Sequence, residues 1–338
     1  MRKNTSLKDI ANQLGVSVSL VSYVVNGHAK KKRVGDEVAK KILSTAKKLH
    51  YQPNQIAKSL KTNKTHTIGL IVADINYGFT TGVTRAVEAA AKKSNYTVII
   101  GNTHEDIQTM NELIQAFMHR LVDGLIIAGV EHSENCIKML KDREIPFVLI
   151  DRNFPKVKAN FIGIDNYQVA YQATEYLIIR DFKNIAFINY QTSFFHLHER
   201  DRGYLQALKD HGYKIDKALQ RKIRKTNFNS DLKAAIKDLV AGESACDAIF
   251  FATDTLAITG LKNLIELNIS VPDDISILSF DASNTFDLFK CPITHFKQPL
   301  EEMGKRAVEV LFGVMEENKR TKQINLESTF VAGKSCRE

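Results

Sequence analysis

The sequence predicts an α-plus-α/β protein, with an N-terminal three-helix helix-turn-helix domain and a two-lobed, doubly wound α/β body. Apolar residues recur at helical spacing in the first fifty positions, and apolar strands alternate with amphipathic helices from Thr67 onward. The alternation starts again after Ile164. The predicted domains are therefore 1–52, a linker at 53–66, and a body at 67–338, whose lobes take about 67–164 with 295–323 and about 165–294 with 324–338.

The distribution of charge separates the same two regions. Residues 1–64 hold 14 Lys and Arg against three Asp and Glu, a net charge of +11, whereas the remainder holds 33 against 35. A basic excess confined to a fifth of the chain is typical of a module that binds a polyanion, and nucleic acid is the leading candidate. The basic run at 30–33 is also compatible with an ordinary solvated loop.

Several other classes of protein are disfavoured by what the sequence lacks. No run approaches the roughly 18 apolar residues of a spanning helix. The N-terminus has no apolar signal region, so we expect a cytoplasmic protein that is associated with the nucleoid. The four cysteines form no C-x-x-C pair, which argues against a disulfide framework and a zinc site; they are Cys136, Cys246, Cys291 and Cys336.

Three short helices are predicted at the N-terminus. Ser6 can cap a first helix over about 7–14, and Ser17 can cap a second helix that ends at Asn26. Two helices joined in this way form a helix-turn-helix, whose second helix enters the major groove of DNA. A third helix after Gly35 closes the core with one apolar face, which comprises Val38, Ile42, Ala46 and Leu49.

The segments 6–11, 14–17 and 21–27 resemble the LacI/GalR (lactose-repressor) family of bacterial transcription regulators. The likeness continues through 51–54, 57–62 and 67–72, so it covers more than one motif. It implies a sequence-specific regulator, most often a repressor, that binds double-stranded operator DNA. The residues expected to contact DNA are Ser6, Leu7, Ser17, Val18, Ser19, Ser22, Tyr23, Asn26, Lys32, Arg33, Tyr51, Asn54, Ala57, Lys58, Leu60 and Lys61.

The resemblance implies that the start of the second helix reads bases. Val18 offers only apolar contact, for instance to a thymine methyl group, whereas Ser19 and Tyr23 can form hydrogen bonds. Many members of the family carry Arg or His where Tyr23 stands. The operator sequence therefore does not follow from the resemblance.

The linker is expected to become ordered only on DNA, because the stretch 54–61 is too short and too polar for a stable isolated helix. The resemblance implies a hinge helix that lies in the minor groove beside that of a second subunit, with Leu60 as an apolar wedge. An ordinary packed linker leucine is the alternative for Leu60. A helix-turn-helix reads few base pairs, and no heptad tail follows the last predicted strand at 324–331, so we expect a homodimer on a pseudo-palindrome.

The body is predicted to contain two parallel sheets. The expected strands are 68–72, 97–101, 124–128 and 147–150 in the first lobe, and 185–189, 248–252 and 276–280 in the second. The expected helices are near 80–94, 107–120, 134–143, 166–180, 200–211, 229–240, 254–267 and 300–318. Ligands bind beyond the carboxyl ends of such strands, and two facing lobes form a cleft that can close.

The residues after these strands combine carboxylates, Arg and aromatic rings, a mixture that suits a hydroxylated small molecule such as a sugar or sugar derivative. The body resembles the effector domain of the same family, itself similar to periplasmic sugar-binding proteins, and 200–204 matches its R-x-x-G-[FY] segment. Gly78 departs from the usual Pro, and Asp254 could instead cap a helix. The predicted effector residues are Tyr77, Phe79, Asn102, Asp151, Arg152, Asp165, Arg200, Phe228, Asp254 and Asp281.

No catalytic, cofactor or metal site is expected. His196, His198 and Glu199 lack the i, i+4 histidine spacing of a metalloprotease helix, and no G-x-G-x-x-G, Walker or G-x-S-x-G motif is present. Two other classes of protein are alternatives to an effector-controlled regulator. A periplasmic solute-binding protein would share the lobes but not the basic head, and an α/β enzyme with a nucleic-acid anchor would show turnover.

Overall fold

The computed structural model describes residues 5–52, 62, 64–241, 245–316 and 320–338. The chain forms two compact units, Met1–Thr65 and His66–Glu338. This division falls inside the predicted linker. The linker residues expected to contact DNA, which are Asn54, Ala57, Lys58, Leu60 and Lys61, lie outside the described residues.

The first unit contains the three predicted helices, α1 (Leu7–Leu14), α2 (Val18–Val25) and α3 (Asp36–Lys48). Ser6 and Asp9 form a reciprocal capping box at the start of α1. Gly15 ends α1 with a φ of +63°, a conformation that costs glycine little. The three helices meet at Ile10, Val21 and Ile42, which are all fully buried.

One prediction for α3 is wrong. Val38 was expected in the core but is 38% exposed. Ala39 packs against the core instead, in line with Ile42, Ala46 and Leu49. These four positions follow the i, i+3, i+7, i+10 spacing of one helix face, and Val38 lies at the edge of that face.

The second unit contains two six-stranded sheets. In chain order the described strands are β1 (Thr67–Val72), β2 (Thr97–Asn102), β3 (Gly124–Ile127), β4 (Phe147–Ile150), β5 (Phe161–Ile164), β6 (Ile185–Tyr190), β7 (Gln220–Ile223), β8 (Ala248–Phe251), β9 (Ser276–Ser279), β10 (Thr294–Lys297), β11 (Gln323–Leu326) and β12 (Thr329–Val331). The first sheet has the order β11-β5-β4-β3-β1-β2, and the second has the order β12-β10-β9-β8-β6-β7. All neighbours are parallel except β10 and β12.

Helices cover both faces of each sheet, as expected for parallel sheets. On the first sheet they are Gly78–Lys93, Ile107–His119, Glu134–Asp142 and Leu300–Met315. On the second sheet they are Asn166–Ile178, Phe195–Asp210, Phe228–Ala241 and Asp254–Glu266. Among the residues that the structure describes, none of the helices is long and apolar enough to span a bilayer.

The division of the C-terminal segments between the lobes differs from the prediction. β10 was assigned to the first lobe but pairs with β9 in the second sheet. β11 was assigned to the second lobe but pairs with β5 in the first. The single strand expected over 324–331 is therefore two short strands in different sheets, and the chain crosses between the sheets after β5, after β10 and between β11 and β12.

Candidate functional site

The start of α2 presents exposed side chains. The Ser17 hydroxyl accepts a hydrogen bond from Leu20 N at 3.2 Å and so caps the helix. Ser19 is exposed, and the exposed fractions of Val18 and Tyr23 are 44% and 37%. Because α2 buries Val21 and Val24 on its opposite face, its outer face is free to enter a groove.

A basic turn lies next to this face. Residues 30–33 are all exposed and are part of a turn in which Lys32 N donates to His28 O at 2.9 Å. Val34 N donates to Ala29 O at 2.9 Å, and both residues pack against the core. The Lys32 ammonium is 5.2 Å from the centroid of the Tyr23 ring. The basic run is therefore an ordered turn beside α2 that can contact phosphates.

The remaining described residues of the predicted DNA surface have local structural roles. Ser6 and Ser17 are helix caps, and the Asn26 amide donates to Ser22 O at 2.8 Å. Leu7 and Tyr51 are partly buried against the core of the first unit. Capping does not remove a residue from a DNA surface, because a capped helix start also aims backbone N–H groups outward.

A cavity of about 310 Å³ lies between the two sheets of the second unit, at the carboxyl ends of their strands. It is lined by eight of the ten predicted effector residues. They are Tyr77, Phe79, Asp151, Arg152, Arg200, Phe228, Asp254 and Asp281.

Arg200 and Asp281 form the central polar pair of the cavity. Arg200 Nη1 is 3.2 Å from Asp281 Oδ2 and also donates to the Ala252 carbonyl, while Arg200 Nε donates to Asn166 at 2.9 Å. The guanidinium lies 3.4 Å from the centroid of the Phe280 ring. Only 3% of Arg200 is exposed, so its orientation is fixed before any ligand arrives.

The other carboxylate oxygen of Asp281 accepts a hydrogen bond from Gln298 Nε2 at 2.6 Å. Gln298 follows β10 and lines the cavity, and its Oε1 is buried without a hydrogen-bond partner among the described residues. A buried acceptor without a partner is costly. Asp281 is therefore held on both sides, next to an acceptor that a ligand donor could satisfy.

A second charged group lines the opposite side of the cavity. Arg152 donates to both oxygens of Glu105, at 2.9 and 2.8 Å, and Lys225 Nζ is 3.6 Å from Glu105 Oε2. Burial opposes the charge of Glu105, but the hydrogen bond and positive charge of Arg152 hold its pKa below the usual range. Lys225 belongs to the second lobe and Glu105 to the first, so this pair joins the lobes.

Asp151, His196 and Tyr77, which also line the cavity, carry shifted pKa values. Burial raises the pKa of Asp151 to about 6, although Arg152 and Arg200 oppose the shift. Burial, with the nearby charge of Arg200, holds the pKa of His196 well below its usual range, so this ring is neutral at pH 7. Burial and Glu105 raise the pKa of Tyr77 to about 12.

Two predicted effector residues do not line the cavity. Asp165 is exposed and caps the helix Asn166–Ile178, accepting from Gln168 N at 2.9 Å. The side-chain amide of Asn102 lies 3.3 Å from His104. Asp254 does line the cavity, and Thr253 rather than Asp254 caps the following helix.

The prediction missed several residues that line the cavity. Glu105, Tyr190, Phe194 and Lys225 lie in loops or at strand ends, and Gln298 follows a strand that was not predicted as such. His196 was considered only as a metal ligand. Over the described ranges, no group of three or more His, Cys, Asp or Glu is arranged to hold a metal ion.

Comparisons with known families match both units. Residues 6–54 match the family described as bacterial regulatory proteins, lacI family, and residues 174–336 match the periplasmic binding protein-like domain. The chain is 30% identical over 316 residues to the HTH-type transcriptional regulator RegA of Clostridium acetobutylicum, with 92% of each chain covered. It is 29% identical over 336 residues to the HTH-type transcriptional repressor PurR of Erwinia tasmaniensis, covering 98% of this chain and 96% of that one.

Solved structures share the fold along the chain. The lac repressor dimer bound to operator and the anti-inducer ONPF superposes with a TM-score of 0.86 at 19% identity, covering 98% of this chain and 99% of that one. A complex of the regulator CelR with cellobiose gives a TM-score of 0.72 at 24% identity, with 98% and 100% covered. A LacI-family regulator of Enterococcus faecium with bound ribose gives 0.69 at 24% identity, with 80% and 98% covered.

Proposed function

The chain belongs to the LacI family of bacterial regulatory proteins, and from this premise we propose that it is a repressor whose affinity for a pseudo-palindromic operator is changed by a small molecule bound in the cleft. The observation that carries the proposal is the separation of two surfaces. The exposed face of α2 and the basic turn lie in the first unit, whereas the cavity around Arg200 and Asp281 lies in the second. The two relatives named above are a transcriptional regulator and a transcriptional repressor.

We propose a neutral, hydroxylated effector of the sugar class. Paired carboxylate and guanidinium groups suit hydroxyl groups, which donate and accept, and the rings of Tyr77, Phe79 and Phe228 offer apolar faces. An additional anion is disfavoured because burial already raises the pKa of Asp151 to about 6. Two regulators of the same fold are complexes with cellobiose and with ribose, which supports the class without identifying the compound.

The proposal is tested by separating operator binding from its control by the effector. Operator fragments selected from genomic DNA are titrated with the full-length protein, with and without a panel of sugars. Tyr23→Ala is expected to weaken operator binding by about 1–3 kcal/mol and binding to random DNA by much less, because base contacts discriminate and phosphate contacts do not.

Arg200→Lys is expected to bind operator as the parent does but to lose the response to the sugar, because lysine keeps the buried charge and loses the planar fork. In the parent, the sugar is expected to change operator affinity by about 5- to 150-fold, the usual range of allosteric coupling. Arg202→Lys is the matched control, since Arg202 is an exposed residue paired with Glu199 outside the cavity. A full response in Arg200→Lys would remove the cleft from the proposal.

A further inference from the structure

Phe194 lies between two cavities of the second unit. The first is the proposed effector cavity, and the second, of about 380 Å³, is lined in part by Glu131, Phe154, Phe195 and His198. Among the described residues, Phe194 is the one that lines both cavities. Its side chain therefore borders both cavities.

The ring of Phe194 is held in place from both lobes. Only 4% of the residue is exposed. The Arg152 guanidinium of the first lobe lies 4.5 Å from the ring centroid, and the Lys225 ammonium of the second lobe lies 5.0 Å from it. Both cations are also tied to Glu105, so the ring faces charges that are themselves fixed.

The backbone at Phe194 is fixed as well. Glu131 of the first lobe accepts hydrogen bonds from Ser193 N at 2.6 Å and from the Thr192 hydroxyl. The Thr192 oxygen in turn accepts from Phe194 N at 3.2 Å. Burial opposes the charge of Glu131, but these hydrogen bonds hold its pKa below the usual range, so the contact persists at neutral pH.

From this geometry we infer that Phe194 determines specificity by limiting the effector to one sugar ring. The inference rests on the proposed effector site. The effector cavity of about 310 Å³ is at the lower end of the roughly 300–1,000 Å³ of ligand pockets, and the neighbouring cavity offers a second ring the space on the other side of Phe194. The fixed phenyl ring blocks that path, because displacing a packed side chain strains its surroundings.

The fold does not itself impose this limit, since the CelR structure of the same fold is a complex with the two-ring sugar cellobiose. We expect removal of the ring to join the two cavities, whose volumes of about 310 and 380 Å³ would together more than double the available space. The limit therefore depends on one side chain rather than on the distance between the sheets.

The test compares one-ring and two-ring sugars on the full-length protein. The parent, Phe194→Ala, Phe194→Leu and Phe195→Ala are titrated calorimetrically with glucose, ribose and other monosaccharides, and with cellobiose and other disaccharides built from them. The parent is expected to bind a monosaccharide and to discriminate against its disaccharide. Phe194→Ala is expected to reduce the ratio of monosaccharide affinity to disaccharide affinity by at least about tenfold, a typical effect of reshaping an apolar pocket wall.

Phe194→Leu is expected to reduce the ratio less, and it provides the answer if the alanine variant does not fold. Phe195→Ala is the matched control, because Phe195 lines only the second cavity and its loss leaves the partition in place. The measured quantity is the ratio of monosaccharide affinity to disaccharide affinity rather than either affinity alone, so a general loss of stability does not imitate the effect.

Each outcome decides the inference. A parent that binds a disaccharide as tightly as its monosaccharide overturns it, and so does an unchanged ratio in both Phe194 variants. If no sugar binds the parent, the proposed sugar class fails, and crystal structures of Phe194→Ala and Phe194→Leu then decide the partition. A continuous cavity in either variant supports it, and two separate cavities in both overturn it.

Discussion

The Asp151 carboxylate is charged at neutral pH at a cost to stability. It follows β4 with a φ of +65° and is largely buried at the cavity wall, with 14% of its side chain exposed. Burial raises its pKa from 3.8 to about 6 in the folded protein, so the folded state holds this proton more tightly than the unfolded state does. The stabilising contribution is complete below about pH 4 and is lost as the pH rises to about 6.

We therefore expect Asp151→Asn to raise the free energy of unfolding of the second unit above pH 6 by roughly 1–3 kcal/mol. Asparagine removes the buried charge and tolerates a positive φ. Near pH 3.5 the variant and the parent are expected to be equally stable, because the carboxyl group is then protonated in both states. Urea unfolding at pH 3.5 and pH 7.5 measures the difference.

Asp106→Ala is the control with the opposite sign. Asp106 is exposed and caps the helix Ile107–His119, and hydrogen bonds from Thr109 hold its pKa below the usual range. Its loss is expected to destabilise the protein at pH 7.5. Equal stability of Asp151→Asn and the parent at pH 7.5 would show that the Asp151 charge is well compensated.

At the level of single residues, part of the cavity lining could be predicted from one rule, that polar residues directly after the strands of a parallel sheet lie at the ligand site. That rule located Asp151, Arg152, Asp254 and Asp281, but it also selected Asp165, whose carboxylate is used as a cap. Glu105 and Lys225 could not be found in this way, because their positions depend on how two loops meet across the lobes. Such contacts arise from tertiary structure and leave no local pattern.

At the level of elements, the helices Asn166–Ile178 and Phe195–Asp210 meet closely at Gly203. A Cβ atom at this position would lie 2.2 Å from Tyr167 O, much closer than real contacts allow. Arg200 belongs to the second of these helices and Asn166 to the first, and they are joined by a hydrogen bond of 2.9 Å. The glycine therefore lets the helices approach closely enough to orient Arg200.

Gly203→Ala is expected to lower the free energy of unfolding by about 1–3 kcal/mol or more, the usual cost of overpacking. It is also expected to weaken the sugar response by moving Arg200. Thermal and urea unfolding measure the first effect. Gly313→Ala is the matched control, because Gly313 is also helical, its Cβ would meet nothing within 4 Å, and alanine is the better helix former by roughly 0.5–1 kcal/mol. Similar losses in both variants would contradict the close-approach argument.

Two of the three strands that the sequence failed to predict contain few apolar residues. The sequence predicted the strands of the sheet interiors because continuous apolar runs, such as the one at 125–127, have few alternatives. It missed β7 and β10, in each of which three of the four residues are polar or charged, and it also missed the apolar strand β5. A short strand with few apolar residues owes its existence to the neighbours with which it pairs, so its own sequence is weakly informative.

At the level of the whole molecule, the division into two units agrees with the distribution of charge. The net charge of +11 at 1–64 falls within the unit Met1–Thr65, and the near-neutral remainder contains the cavity. The sequence could predict this organisation because the net charge of a segment follows from its composition alone. The sequence could not predict that β10 pairs with β9 and β11 with β5, because the points at which the chain crosses between the lobes depend on sheet edges that lie far apart in sequence.

The salt dependence of operator binding then reports how many copies of the chain act together. Each phosphate contact contributes about 0.9 to the slope of log K against log salt. If a symmetric dimer binds and Lys32 of each copy contacts one phosphate, Lys32→Gln is expected to reduce the slope by about 2, whereas one bound copy gives about 1. Fluorescence anisotropy between about 50 and 200 mM salt measures the slope. Lys209→Gln, an exposed substitution in the second unit, is expected to leave it unchanged. A reduction near 1 contradicts the dimer, and no reduction removes Lys32 from the DNA surface.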